Sequence, residues 1–108
     1  MVKFYNEMPE MEFFSGDTLP FFTVEVDSQN LENCTMSVTF ARANDPKNSV
    51  FCKDCVRTPT GFLVRITSDE TAHLNEGAYV INFRMTDADG LSYIKLSGTV
   101  YVRSAAGV

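Results

Sequence analysis

The sequence predicts an all-β domain, an immunoglobulin-like β-sandwich of about six to eight antiparallel strands with one short helical crossover near residues 69–74. Three observations carry this expectation. From Thr18 onward apolar and polar residues alternate, the period of a strand with one buried face. Clusters of Asn, Asp, Pro and Gly separate the alternating runs, and these residues suit tight turns. One segment, Thr67 to Gly77, breaks the alternation with the chemistry of a capped helical turn. A small barrel is the second architecture compatible with the same periodicity.

The elements follow in chain order. Residues 1–15 read as an irregular arm or edge strand, with Phe4, Phe13 and Phe14 available for packing. In "TLPFFTVEV", Phe22, Val24 and Val26 share one face and Thr23 and Glu25 the other. Pro20 lacks an amide hydrogen and suits a strand start or an edge. "DSQNLEN" reads as a loop, and "CTMSVTFARA" then places Met36, Val38 and Phe40 inward. "SVFCKDCVRT" resists a single register, because Asp54 shares a face with Val50, Cys52 and Val56 while Phe51, Lys53 and Cys55 share the other.

"FLVRIT" places Phe62, Val64 and Ile66 inward. Ser68 is positioned to cap a turn over 69–74, with Asp69 and Glu70 where negative charge suits the helix dipole and Gly77 to end it. A run this short does not stand as a helix alone. It makes sense as a bridge between strands of different sheets, with Leu74 plugging the open end. "AYVINFRMT" puts Tyr79, Ile81, Phe83 and Met85 on one face, and "DADG" turns the chain into a hairpin. The return strand aligns Ile94, Leu96, Val100 and Val102, with Gly98 on that face as a bulge or close approach. Residues 16–103 thus form the sandwich, and 104–108 a disordered tail.

The bulk composition narrows the partners. A chain of 108 residues is one domain by default, and 44% hydrophobic with 21% charged residues is ordinary for a globular fold. The net charge is −5 and the nine basic residues are scattered, which excludes a clustered cationic grip on nucleic acid and disfavours anionic membranes. No apolar run reaches the roughly 20 residues needed to span a bilayer. The first residues carry no signal-peptide pattern, so the expectation is assembly in the cytoplasm.

Candidate chemistry is sparse. "CKDC" has the spacing of half a zinc site, and Cys34, Cys52, Cys55 and His73 would complete four ligands. Against this, the two thiols of that motif sit at opposite parities of an extended stretch. No helix N-terminus follows to stabilise a thiolate for redox work. "DADG" flanked by strands is a turn rather than a calcium loop. The single histidine, His73, lies in a polar turn without a positioned nucleophile. The expectation is no catalytic residues, no cofactor and no metal.

The order "SGDTLPFFTVEV", "GFLVRITSDETAHLNEGAYVINFRMTDADG" and "YIKLSGTVYV" resembles the small β-sandwich domain of phage tail and baseplate proteins, and is similar to the N-terminal domain of the upper baseplate protein family. The matching positions are Gly16, Asp17 and Thr18; Ile66 and Thr67; Thr71 and Leu74; Gly77 and Tyr79; Asp89 and Gly90; and Gly98 and Thr99. The three cysteines depart from the pattern. The resemblance implies a structural or adaptor protein of a virion, without catalytic residues, that joins other tail or baseplate proteins and forms a homo-oligomer. Phe13, Phe14, Phe21, Tyr93 and Tyr101 fall outside the clean inward pattern and are interface candidates. The competing expectation is a carbohydrate-binding or host-surface adhesion module that stacks cell-wall glycan on Tyr93 and Tyr101.

Overall fold

The fold is described from a computed structural model, for residues 2–4, 8–26 and 33–104. The predicted loop at 27–33 and the predicted tail at 104–108 lie almost wholly outside these described residues. The chain is mostly β and forms two sheets. The strands are β1 (Val2–Phe4), β2 (Met11–Phe14), β3 (Phe22–Glu25), β4 (Thr35–Arg42), β5 (Ser49–Asp54), β6 (Val56–Arg57), β7 (Gly61–Val64), β8 (Gly77–Thr86) and β9 (Ser92–Arg103). One sheet has the order β1-β3-β7-β6 and the other β2-β9-β8-β4-β5. The inward residues of both sheets make one core that includes Phe22, Val38, Phe40, Phe62, Ile81 and Phe83.

The expected alternation holds for β3, β4, β7 and β8. Val24, Met36, Val64, Tyr79 and Met85 are buried as their parity requires. Thr23 is buried as well, despite its outward parity. The sheet-to-sheet bridge is also present. β7 belongs to one sheet and β8 to the other, and α1 (Ser68–Thr71) lies between them. Leu74 is buried in the core at the end of this turn.

Four expectations need correction. First, the cap of the turn is Thr67 rather than Ser68. The Glu70 carboxylate reaches back to accept from the Thr67 amide at 2.9 Å and from its hydroxyl at 3.0 Å, so a Thr-x-x-Glu pattern closes the turn. Second, nine strands are present among the described residues, and two pairings are parallel, β1 with β3 and β2 with β9. The N-terminal arm divides between the sheets and supplies an edge strand to each.

Third, the segment 49–57 is two strands. β5 pairs with β4 in the five-stranded sheet, and β6 pairs with β7 in the other. The chain changes sheets at Cys55, which is why no single register fits. Its inward face carries Phe51, in edge-on contact with Phe40 at 5.6 Å, while Val50, Cys52 and Val56 are exposed.

Fourth, Ile94 is not a core residue; it is 48% exposed. Leu96 pairs with Phe83 but Ile94 pairs with Arg84. Lys95 is therefore an extra residue, a bulge that swaps the faces of the strand beyond it. Of the two roles expected for Gly98, a bulge or a close approach, the second is present. A Cβ there would lie 2.8 Å from the Met8 sulfur, and Met8 packs against the core at this point.

Candidate functional site

The turn between the sheets gathers a dense set of polar contacts among the described residues. Thr71 is fully buried. Its hydroxyl donates to the Asp17 carbonyl at 2.6 Å and accepts from the Gly16 amide at 3.1 Å. Ser15 donates its hydroxyl to the Thr71 carbonyl at 3.3 Å. The loop after β2 is thus fastened to α1. Leu19 adds a backbone bond to the Ile66 carbonyl at 3.0 Å.

On the other side of the turn, Lys53 extends from β5 and donates to the Arg65 carbonyl and to Glu70, each at 2.7 Å. Partial burial pushes the Glu70 carboxyl up. The hydrogen bonds from Lys53 and Thr67 and the Lys53 charge outweigh it, leaving the carboxyl below its ordinary range. A corner follows at the start of β8, where buried Tyr79 donates its hydroxyl to the Asn75 carbonyl at 2.7 Å. Arg42 lies over the same ring at 4.8 Å and donates to the Glu76 carbonyl at 3.0 Å.

The cysteines do not converge with His73. Cys34 is buried, Cys52 exposed and Cys55 half-buried, and no disulfide joins them. Burial, with the nearby Asp54 and Cys52, pushes the Cys55 thiol up to about 12. A thiol held so firmly protonated is a poor nucleophile. Among the described residues no three of His, Cys, Asp and Glu gather in a metal-holding group. The "DADG" segment is a hairpin turn: Asp87 accepts from the amides of Asp89 and Leu91, each at 3.0 Å.

The aromatic interface candidates separate into three kinds. Phe13 is a core residue, because the parallel pairing of β2 with β9 sets it beside buried Val102. This corrects its expectation as an exposed group. Phe14 and Phe21 are exposed, and Arg65 lies over the Phe21 ring at 4.8 Å. Tyr93 and Tyr101 are both exposed but on opposite faces. The bulge at Lys95 puts Tyr93 beside Met85, on the face of the core, while Tyr101 stands opposite Ala78. They do not form one stacking platform.

An apolar cleft of about 460 Å³ lies between β2 and the segment leading into β3, with Pro9, Phe14, Leu19 and Pro20 in its wall. Its polar and charged lining is Glu12, Asp17 and Thr18. Sequence reasoning missed the exposed apolar groups Val50, Val56, Leu91 and Ile94. Each follows from a change of sheet, a bulge or a turn that strict alternation does not register. No protein-family model matches the sequence, and a search of curated proteins finds no match.

Proposed function

We propose that this chain is a non-catalytic structural or adaptor protein of a phage or prophage tail-baseplate, acting through protein–protein assembly within the virion. One observation carries the reading. Three of the residues that resemble the baseplate sandwich pattern are far apart in sequence yet bonded together: Gly16 and Asp17 both bond the hydroxyl of Thr71. Tyr79, two residues after Gly77 in the same pattern, anchors the adjoining corner through Asn75. This part of the pattern therefore describes one physical junction, which locks the N-terminal arm to the sheet crossover. A part that must hold its shape under load is served by such a lock.

The immunoglobulin-like form of the sandwich belongs to the same proposal. Three features support it: the division of the N-terminal arm between sheets, the transfer from β5 to β6, and the tyrosine corner at Tyr79. The parallel pairing of β1 with β3 is a departure from that form. Fold alone does not give function, so the test is made on particles. Prophage induction in the strain that encodes the chain, followed by mass spectrometry and immunogold microscopy of purified particles, should find it at the tail end. Its absence from intact tails would refute the reading.

A further inference from the structure

We propose that β5 is a pairing edge for a second copy of this chain, joined antiparallel about a two-fold axis at Cys52. This deepens the assembly reading above by naming the surface. The two sheets have four edges, β1, β6, β2 and β5. β1 and β6 have only three and two residues. β2 has four, and its outward Phe14 amide is already bound by the Asp17 carboxylate at 3.0 Å. β5 has six residues and is the longest edge among the described residues.

The direction of its backbone groups follows from one hydrogen bond. The Cys55 amide donates to the Met36 carbonyl at 2.9 Å, and Lys53 and Phe51 stand opposite Val38 and Phe40. Antiparallel pairs alternate, so Phe51 and Lys53 turn their N–H and C=O groups to β4, and Cys52 and Asp54 turn theirs outward. No intramolecular partner meets those outward groups among the described residues. Of the guards found on natural edges, the exposed Asp54 and the register shift at Val50 lie toward the two ends of the strand, and neither falls at Cys52 between them. Its one lysine, Lys53, is turned inward to Glu70 and Arg65. Val50 at 53% and Val56 at 66% stand exposed beside the edge, together with Cys52 and the charged Asp54.

Symmetry and charge choose the register. A two-fold axis normal to a continuous sheet sets a residue against its own copy. Centring on Lys53 or Asp54 would oppose like charges, which is destabilising. Centring on Phe51 would draw the outward bonds from Val50, where β4 and β5 shift register. Centring on Cys52 keeps the two central bonds within the regular run and leaves only the flanking pairs to Val50. The two Cys52 residues exchange both hydrogen bonds, and Val50 faces Asp54 of the other copy. Their Cα atoms would stand about 5.5 Å apart, inside the range of about 4.4–6.8 Å that a disulfide spans.

Light scattering with size-exclusion chromatography on the whole protein, across micromolar to millimolar concentration, should give twice the 12.1 kDa chain mass. Diamide, which takes up the two electrons and two protons released by a thiol pair, should then yield a covalent dimer. Cys52→Ser should lose that crosslink and keep the dimer, whereas Cys34→Ser and Cys55→Ser should keep both. Cys52→Pro removes an outward amide without touching the bonds to β4 and should be monomeric; Cys52→Lys, at an exposed position, should be monomeric by repulsion. A monomeric wild type, or an oligomer that survives Cys52→Pro and Cys52→Lys with a native circular dichroism spectrum, overturns the proposal. Its fate is separable from the functional reading: particles that contain the chain alongside a monomeric isolated protein sink the edge alone. A Cys52-centred dimer absent from particles sinks the tail assignment alone.

Discussion

Replacing Thr71 with valine tests whether the junction between the arm and the crossover is a stabilising element. The substitution nearly preserves volume and removes only the hydroxyl. The hydroxyl's one proton also has a longer, shared contact with the Ser68 carbonyl at 3.2 Å, and two hydrogen bonds disappear with the hydroxyl: the donation to Asp17 at 2.6 Å and the acceptance from Gly16 at 3.1 Å. Each is worth about 1 kcal/mol net. The added methyl would ordinarily return about 0.8 kcal/mol. Here it faces a carbonyl and an amide, so little of that is recovered. The expected loss is about 2 kcal/mol. With an unfolding entropy of about 2.1 cal/mol/K per residue, a 108-residue chain loses about 9 °C in Tm. Urea and thermal unfolding followed by circular dichroism measure both quantities. Hydrogen exchange should in addition show faster opening at the Gly16 amide. A loss under about 0.5 kcal/mol with unchanged Gly16 protection would refute the account of the junction.

Four further outcomes are expected. Phe13→Ala should cost about 3–5 kcal/mol, as large-to-small core changes do, while Phe14→Ala on the exposed face should stay within about 0.5 kcal/mol in the same melts. Gly77→Ala should destabilise by about 1–3 kcal/mol, since Gly77 has φ +148° and a Cβ would meet the Arg42 guanidinium; equal melting temperatures would contradict this. For Glu70, the folded carboxyl titrates below its ordinary value of 4.5, so its contribution is present above that pH and lost as pH falls through the lower folded value. The pair is partly exposed, which limits the effect to about 0.5 kcal/mol; the stability gap between wild type and Glu70→Gln should close on acidification rather than widen. Ellman's reagent at pH 8 should find Cys52 reactive at once and Cys34 and Cys55 slow until denaturant is added, given their burial and the Cys55 thiol at about 12.

Much of the sandwich was legible because period two is a direct record of which face is dry. Val38, Phe40, Phe62, Ile81 and Phe83 were placed by parity alone, and they are the centre of the core. The bridging role of the segment after Ile66 was legible too, from capping chemistry and shortness. Its cap was misplaced by one residue, because both Thr67 and Ser68 can serve and only the reach of Glu70 decides. Phe13 was not legible: its strand pairs parallel with β9, across almost the whole chain, and no local signal announces that partner. Tyr93 and Ile94 were misassigned for a different reason. A single extra residue, Lys95, inverts parity without altering composition.

The two places where alternation fails have opposite consequences for assembly. At Lys95 the bulge twists the hairpin end and scatters exposed apolar groups over two faces, with Tyr93 on one and Ile94 on the other. Such a surface is broken for flat packing, because no partner plane can cover both faces at once. At Cys55 the chain changes sheets, and the change leaves Cys52 and Asp54 pointing their backbone groups at solvent beside Val50 and Val56. Backbone pairing is indifferent to side-chain identity, so this edge offers affinity that no motif would record. Its one positively charged guard, Lys53, is held by the crossover turn through Glu70 and Arg65. Glu70→Gln weakens that hold and frees the lysine toward the rim, where two copies would bring their charges together. If the edge pairs as argued, Glu70→Gln should weaken the dimer although Glu70 lies outside the paired strands; unchanged association in sedimentation equilibrium would disconnect the turn from the edge.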